Sequence, residues 1–298
     1  PKTIDAVFIT HAHIDHIGRL PQLYKAGFRG RIYSTPPTKD FAEYLLIDSE
    51  HLLNREAEAK HQPPLYTLDD VNKAMALWHG VKYHQKVKVG DFSVELSDAG
   101  HILGSACISV TDKKAKKRIV FSGDLGNVGT PIVKETDPVE GASYALIEST
   151  YGGRIHEKPE ERKDMLEDAI EETVKAGGVL VIPAFAMERT QALLFELHEL
   201  VEHGRIPKVP VFIDSPLAIK LTQVYKKYAD DPDYFDAESL ALLRKGDAIF
   251  DFPGLRLTLT TEQSKEINDV PPPKVVIAGS GMSQGGRILH HELRYLPG

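Results

Sequence analysis

The sequence predicts an α/β protein in two parts, residues 1–177 and 178–298. Three observations carry this reading. From about residue 178, compact apolar strands are each followed by a turn and an amphipathic helix, the pattern of a parallel, doubly wound sheet. Before that point, short β-branched or apolar runs are bounded by Gly, Asp and Lys turns. Near the start, a buried-strand pattern runs straight into a cluster of histidines and a carboxylate. No internal repeat or low-complexity tract interrupts the chain.

The first element is Ala6-Val7-Phe8-Ile9, an apolar run of strand length. Residues 38–80 are rich in Glu, Ala, Leu and Lys at helical spacing, and Pro63-Pro64 divides them. Strands follow at Phe92–Leu96, Ala106–Val110, Arg118–Phe121 and Tyr144–Ile147. The basic run Lys113–Arg118 reads as a hairpin tip and, with Lys220, Lys226 and Lys227, is the local patch available to an anionic ligand. In the second part, strands at Val179–Ile182 and Val209–Ile213 lead to helices at Leu193–Glu202 and Ala218–Tyr228. A third strand, Lys274–Ala278, enters the Gly-rich turn 279–286 and a helix at Arg287–Leu293. Pro271-Pro272-Pro273 is a stiff linker.

The chemistry concentrates in Thr10-His11-Ala12-His13-Ile14-Asp15-His16. Imidazole and carboxylate are the side chains that bind zinc-like ions. His11 and His13 alternate as the chain leaves a strand and can share one ion, while the adjacent Asp15 and His16 can reach a second. Further donors, His101 in Asp98-Ala99-Gly100-His101 and Asp124 in Ser122-Gly123-Asp124, also follow strands. Two dications about 3.5–4 Å apart acidify a shared water and clamp an anionic transition state. The donor set suits zinc and also admits manganese.

The HxHxDH run, with His101 and Asp124 in order behind it, resembles the metallo-β-lactamase superfamily. Ile147-Glu148-Ser149-Thr150-Tyr151-Gly152, Gly100–Ala106 and Asp214-Ser215-Pro216-Leu217-Ala218 narrow the resemblance to its β-CASP branch. The chain is similar to prokaryotic relatives of the cleavage and polyadenylation specificity factor endonuclease. That resemblance implies a partial metallo-β-lactamase αββα sandwich with an inserted Rossmann-like β-CASP domain. It further implies His11, His13 and His101 on one zinc, Asp15 and His16 on the other, and Asp124 on both, with a bridging hydroxide attacking phosphorus. Asp15 and Glu148 are then the catalytic carboxylates, Glu148 orienting a histidine that protonates the leaving oxygen. The turn containing Ser280 and Gly281 becomes a phosphate cradle, Ser215 and Arg189 become further substrate contacts, and His156 is a candidate for the cleft.

The activity implied is a zinc-dependent endoribonuclease, with 5′-exonuclease action in some relatives, acting on single-stranded RNA. A homodimer is also suggested by the resemblance. A DNA-directed nuclease of the same branch, a non-catalytic RNA-binding scaffold and a small-molecule hydrolase are the competing readings. The scaffold reading is disfavoured because every ligand position covered by the chain is filled, and the hydrolase because it leaves the second domain without a purpose.

Composition sets the outer limits. Hydrophobic residues make up 42% and charged residues 27%, ordinary for a globular protein, and no apolar run approaches the ~20 residues a membrane helix needs. The net charge of −7 is opposite in sign to a typical nucleic-acid footprint, so polyanion binding must rely on local cations and metal. A single cysteine, Cys107, excludes an internal disulfide and fits a reducing, cytoplasmic setting. The chain starts at Pro1, almost directly before the metal run, and ends soon after the Gly-rich turn. The resemblance therefore predicts a piece of a longer protein, lacking the opening strands and the last histidines of the two-metal site.

Overall fold

A computed structural model of the chain describes residues 1–155, 159–244 and 249–296. His156, a candidate from the sequence, lies outside the described residues. The chain divides into two compact units, one of residues 1–128 and 133–152 and one of 129–132 and 153–298.

The first unit contains β1 (Ala6–Phe8), α1 (Ile14–Ile17), α2 (Leu20–Lys25), β2 (Arg31–Ser34), α3 (Pro36–Ala59), α4 (Leu68–Ala76) and β3 (Trp78–Gly80). It continues with β4 (Val87–Val89), β5 (Phe92–Asp98), β6 (Ala106–Asp112), β7 (Lys117–Phe121) and β8 (Tyr144–Leu146). A parallel sheet of order β1-β2-β3 is accompanied by a five-stranded sheet, β4-β5-β6-β7-β8, antiparallel until β7 pairs with β8 in parallel.

Local chemistry explains the boundaries. Thr35 caps α3, its hydroxyl accepting from the Thr38 amide at 3.4 Å, and Pro36 occupies the first turn, where its missing N–H costs nothing. Thr67 and Asp70 form a capping box on α4. The helical reading of residues 38–80 therefore holds through Ala59 and again from Leu68 to Ala76. It fails at Trp78–Gly80, where the chain adds a strand beside β2. Trp78 is buried there, its indole N–H donating to Ser34 Oγ at 2.8 Å, and that tertiary contact overrides local helical spacing. The basic run is a hairpin tip as expected: Asp112 Oδ1 accepts from the Lys114 and Ala115 amides, and residues 113–117 are exposed.

The second unit contains α5 (Pro159–Ala176), β9 (Val179–Pro183), α6 (Arg189–Glu202), β10 (Val211–Asp214), α7 (Pro216–Tyr228), α8 (Ala237–Arg244), β11 (Leu255–Leu257), α9 (Thr261–Glu266), β12 (Lys274–Ala278) and α10 (Ile288–Tyr295). Its sheet has the order β11-β10-β12-β9 and is parallel throughout. All five residues of β12 are buried, as a central parallel strand covered on both faces requires. Although the strand–helix style begins near 178, the compact unit reaches back to Gly153, because α5 packs on β9 and β12.

Candidate metal centre

The metal run lies where β1 ends. Ile9 still pairs with β2, its amide donating to Tyr33 O at 2.8 Å, and His13 then occupies the N-cap position of the short helix α1 without a side-chain capping bond. A second segment is brought to the same place by β5 and β6: Asp98 ends one strand, Ala106 begins the next, and the Ala106 amide donates to Thr10 O at 2.7 Å. Between them, Ser105 Oγ accepts from the His101 amide at 3.0 Å and the Ile102 amide at 3.2 Å, which fixes the loop that carries His101. The third segment leaves β7 through Ser122-Gly123-Asp124. Gly123 has φ +58, and a Cβ there would lie 2.6 Å from Thr10 Cβ, so only glycine lets Asp124 approach the histidine run.

These segments bring His11, His13, His101 and Asp124 together, one ligand atom from each lying within 4.8 Å of all the others. Asp124 faces two ways. Its Oδ2 lies 3.7 Å from His11 Nε2 and 3.8 Å from His101 Nε2, while Oδ1 lies 3.4 Å from His16 Nε2. Asp15 stands farther out, exposed, with Oδ2 at 3.5 Å from His16 Nε2. Asp124 thus meets three of the other ligand candidates, His11, His16 and His101, while His13 joins through His101 Nε2 at 3.1 Å and Asp15 through His16.

The donor set fits a cation on its own chemistry. His11 is fully buried, yet its Nε2 has no hydrogen-bond partner, a costly state for a polar atom unless something else fills it. Its other nitrogen, Nδ1, contacts Thr10 Oγ1 at 3.1 Å, the second-nitrogen contact that orients ligating imidazoles. Burial, followed by repulsion from His16, His13 and His101, lowers the His11 pKa to about 2. Burial and His101 lower that of His13 to about 4. Both rings are therefore neutral at physiological pH, as metal ligation requires.

Glu148 lies just past β8 and is held by backbone. Its Oε1 accepts from the Leu125 amide at 3.0 Å and its Oε2 from the Thr150 amide at 3.1 Å, while its own amide donates to Ser122 Oγ at 3.0 Å. The Leu125 bond is the largest cause holding its pKa below the ordinary glutamate value, against the opposing pull of burial. Glu148 is thus a fixed, ionised carboxylate bonded to the residue that follows Asp124 in the chain. Thr10, Ser105 and Ser122 are supporting residues that the sequence reading did not assign, although all three lie inside or beside its motifs.

The remaining candidates belong to the second unit. Ser215 caps α7, its Oγ accepting from the Ala218 amide at 3.3 Å. Arg189 opens α6, with Nε 3.2 Å from Glu188 Oε2. Part of the expected phosphate cradle is already engaged. The Ser280 amide donates to Gly285 O, the Ser283 amide to Ser280 O and the Gln284 amide to Ser280 Oγ. Those three donors stabilise the turn itself. Lys220, Lys226 and Lys227 are exposed on α7. No described helix is long and apolar enough to cross a membrane.

A metallo-beta-lactamase superfamily domain matches residues 1–127 and a Beta-Casp domain matches residues 190–298. The chain is 36% identical over 292 residues to ribonuclease TTHA0252 of Thermus thermophilus, covering 98% of this chain and 64% of that protein. It is 31% identical to the transcription termination factor FttA of Methanosarcina mazei, covering 97% of this chain and 45% of that one. Similarity extends to cleavage and polyadenylation specificity factor subunit 3-I of Arabidopsis thaliana, 34% identical over 231 residues, covering 76% of this chain and 32% of that subunit. The chain thus spans less than two thirds of the length of each of these relatives.

Proposed function

Because the chain belongs to the β-CASP branch of the metallo-β-lactamase superfamily, we propose that it forms the catalytic part of a metal-dependent ribonuclease that hydrolyses phosphodiester bonds of single-stranded RNA. The observation that carries this reading is the unpartnered, buried Nε2 of His11, surrounded by the donor atoms of His13, His101 and Asp124. The family relationship and the name of the Thermus relative support RNA as substrate.

His11, His13 and His101 would hold one ion, Asp15 and His16 the other, and Asp124 would contribute to both. Zinc is the ion best matched to these nitrogen and carboxylate donors. When bound, such ions supply an activated water at neutral pH and neutralise charge developing on the phosphate. The protein's own residues set the stage. Neutral His11 and His13 would keep lone pairs for coordination, and Thr10 Oγ1 orients the His11 ring through its contact with Nδ1. Glu148, ionised and immobilised by the Leu125 and Thr150 amides, orients the proton donor for the leaving oxygen. Ser280, Gly281, Ser215 and Arg189 belong to the substrate path of the second unit. A reducing, cytoplasmic site of action fits the lone Cys107, and a homodimer fits the family.

The test is cleavage of a labelled single-stranded RNA by the natural protein carrying this sequence, with matched DNA in parallel. Zinc-dependent RNA cleavage that disappears in Asp124→Ala is the expected result. Equal or faster DNA cleavage would move the assignment to a DNA-directed enzyme. RNA affinity without bound metal or cleavage would make the chain a binding subunit.

A further inference from the structure

The second unit contains a cleft of ≈ 320 Å³ that no metal-site residue lines. Leu166 and Leu193 form apolar parts of its wall, with Phe185, Arg162, Glu188 and Arg189 around them. Its size is at the lower end of the range for small-ligand sites, about 300–1,000 Å³. One nucleotide fits such a space, and a duplex does not.

Phe185 is unusual in being exposed and fixed at once. Half of its surface, 52%, is open. Its carbonyl accepts from Thr190 Oγ1 at 2.7 Å, and the next carbonyl, of Ala186, accepts from Gln191 Nε2 at 3.2 Å. The same Gln191 amide donates to Thr222 Oγ1 at 2.9 Å, which ties the segment to α7. From the other side the Gly-rich turn presses in. A Cβ on Gly281 would lie 2.8 Å from both the ring Cδ2 and the backbone nitrogen of Phe185, so a side chain there would displace the aromatic. An immobilised, open aromatic ring gives up little entropy when a base stacks on it.

The charged groups complete a nucleotide's requirements. Glu188 has φ 67 and ψ −62, a conformation rare outside glycine, and it turns the chain so that Arg189 begins α6. Arg189 meets Glu188 through Nε, and 62% of its side chain is exposed, leaving the outer guanidinium edge open to phosphate. Arg162 adds a second cation, and Glu188 provides an acceptor for a base N–H. The second carboxylate of the lining, Glu196, is paired with Lys163 at 3.3 Å, so the two arginines stand among balanced charges rather than acidic ones.

We infer that this cleft is a subsite for one nucleotide of a single-stranded RNA, with the base stacked on Phe185 and the adjoining phosphate held by Arg189 and Arg162. The inference rests on the ribonuclease reading for the identity of the polymer, but its geometry belongs entirely to the second unit.

Binding of a fluorescein-labelled RNA 10-mer in the presence of EDTA, followed by anisotropy, tests the subsite apart from cleavage. Phe185→Ala is expected to weaken binding by about 5- to 150-fold, the range that loss of one stacked base covers. Phe185→Leu keeps the apolar volume and should show a similar loss, whereas Phe185→Trp should retain affinity. Arg189→Gln should reduce the slope of log K against log salt by about 0.7, the signature of one lost single-strand phosphate contact. Wild-type affinity in both Phe185→Ala and Phe185→Leu overturns the subsite, as does equal affinity for uridine monophosphate and the 10-mer. The two readings fail separately. Phe185-dependent RNA binding by a zinc-loaded protein that cannot cleave RNA would sink the nuclease assignment and leave the subsite standing. RNA cleavage with an unchanged KM in Phe185→Leu would do the reverse.

Discussion

His11 and Asp124 in the first unit, and His291 and Asp214 in the second, are the same pair of side-chain types in opposite states of satisfaction. Asp214 is fully buried and every direction around it is taken. His291 Nε2 lies 2.7 Å from Oδ2 and Arg287 donates to Oδ1 at 2.7 Å, while Thr258 and Ser264 each donate a hydroxyl at 2.6 Å. One carboxylate thereby joins the ends of β10 and β11 to α9 and α10. Around His11 the reverse holds: its buried Nε2 has no partner, and the nearest polar atoms are other metal-type donors. A closed network stabilises a fold, and a convergent open one is a ligand site. His11 and His291 are alike in type and burial, so partner completeness is what separates the two histidines, while Asp124, unlike Asp214, remains partly open to solvent.

The sharpest way to break this contrast is with metal. Zinc at 100 times its Kd should stabilise the wild-type chain by about 2.7 kcal/mol, seen as a rise in Tm. Asp124→Ala should remove that rise and abolish RNA cleavage by the natural protein, with little change in the metal-free Tm. A metal-dependent Tm shift that survives Asp124→Ala would mean the ions bind elsewhere.

Asp214→Ala should do the opposite. By leaving Arg287 without its buried counter-charge and His291 without its hydrogen-bond partner, it should cost about 3–5 kcal/mol in chemical denaturation while the remaining folded protein keeps its zinc response. The pH dependence follows the same logic. Hydrogen bonds from His291, Ser264, Thr258 and Arg287 outweigh burial and hold the Asp214 pKa below the ordinary aspartate value. The contribution of Asp214 is therefore fully present above pH ~4, where an unfolded aspartate ionises, and is lost as pH falls through the lowered folded value. Stability curves of wild type and Asp214→Ala should run parallel above pH 5 and converge below pH 4.

Smaller effects refine the picture. Thr10→Val removes the hydroxyl beside His11 Nδ1 and should weaken zinc binding by about 10- to 100-fold, measured by competition with a chelating dye. Ser264→Ala removes one of four donors to Asp214 and should cost about 1.5–3 kcal/mol without touching metal affinity. If Thr10→Val altered denaturation more than metal binding, the two clusters would not differ in the way described.

Much of the first cluster was legible in the chain, because metal-ligand types at short spacing behind an apolar strand have few structural explanations. His11, His13, His101 and Asp124 converge, with His16 beside Asp124. The strand–helix units after residue 178 were legible for a similar reason, since apolar runs of strand length followed by amphipathic runs record burial directly. Trp78–Gly80 was not, because its strand state depends on pairing with β2 and on the Trp78–Ser34 hydrogen bond. The Asp214 network was equally hidden. His291 looked like one of two helical histidines, and nothing local says that it meets a carboxylate 77 positions away. The Gly-rich turn was legible as a turn, but only its folded form shows that three of its amides serve the turn itself.

Residue order by itself determined the α/β class, the two styles of its halves and the ligand types available to a metal. These are local properties, written in spacing of two to four residues. Tertiary structure decided which donors share one space, which carboxylate is closed by its neighbours and why Phe185 stays open. Those outcomes depend on contacts between distant positions, such as the 3.1 Å approach of His101 Nε2 to His13 Nδ1 across 88 residues of chain. Strand register brings them together, and register is set by packing of the whole unit rather than by any single segment.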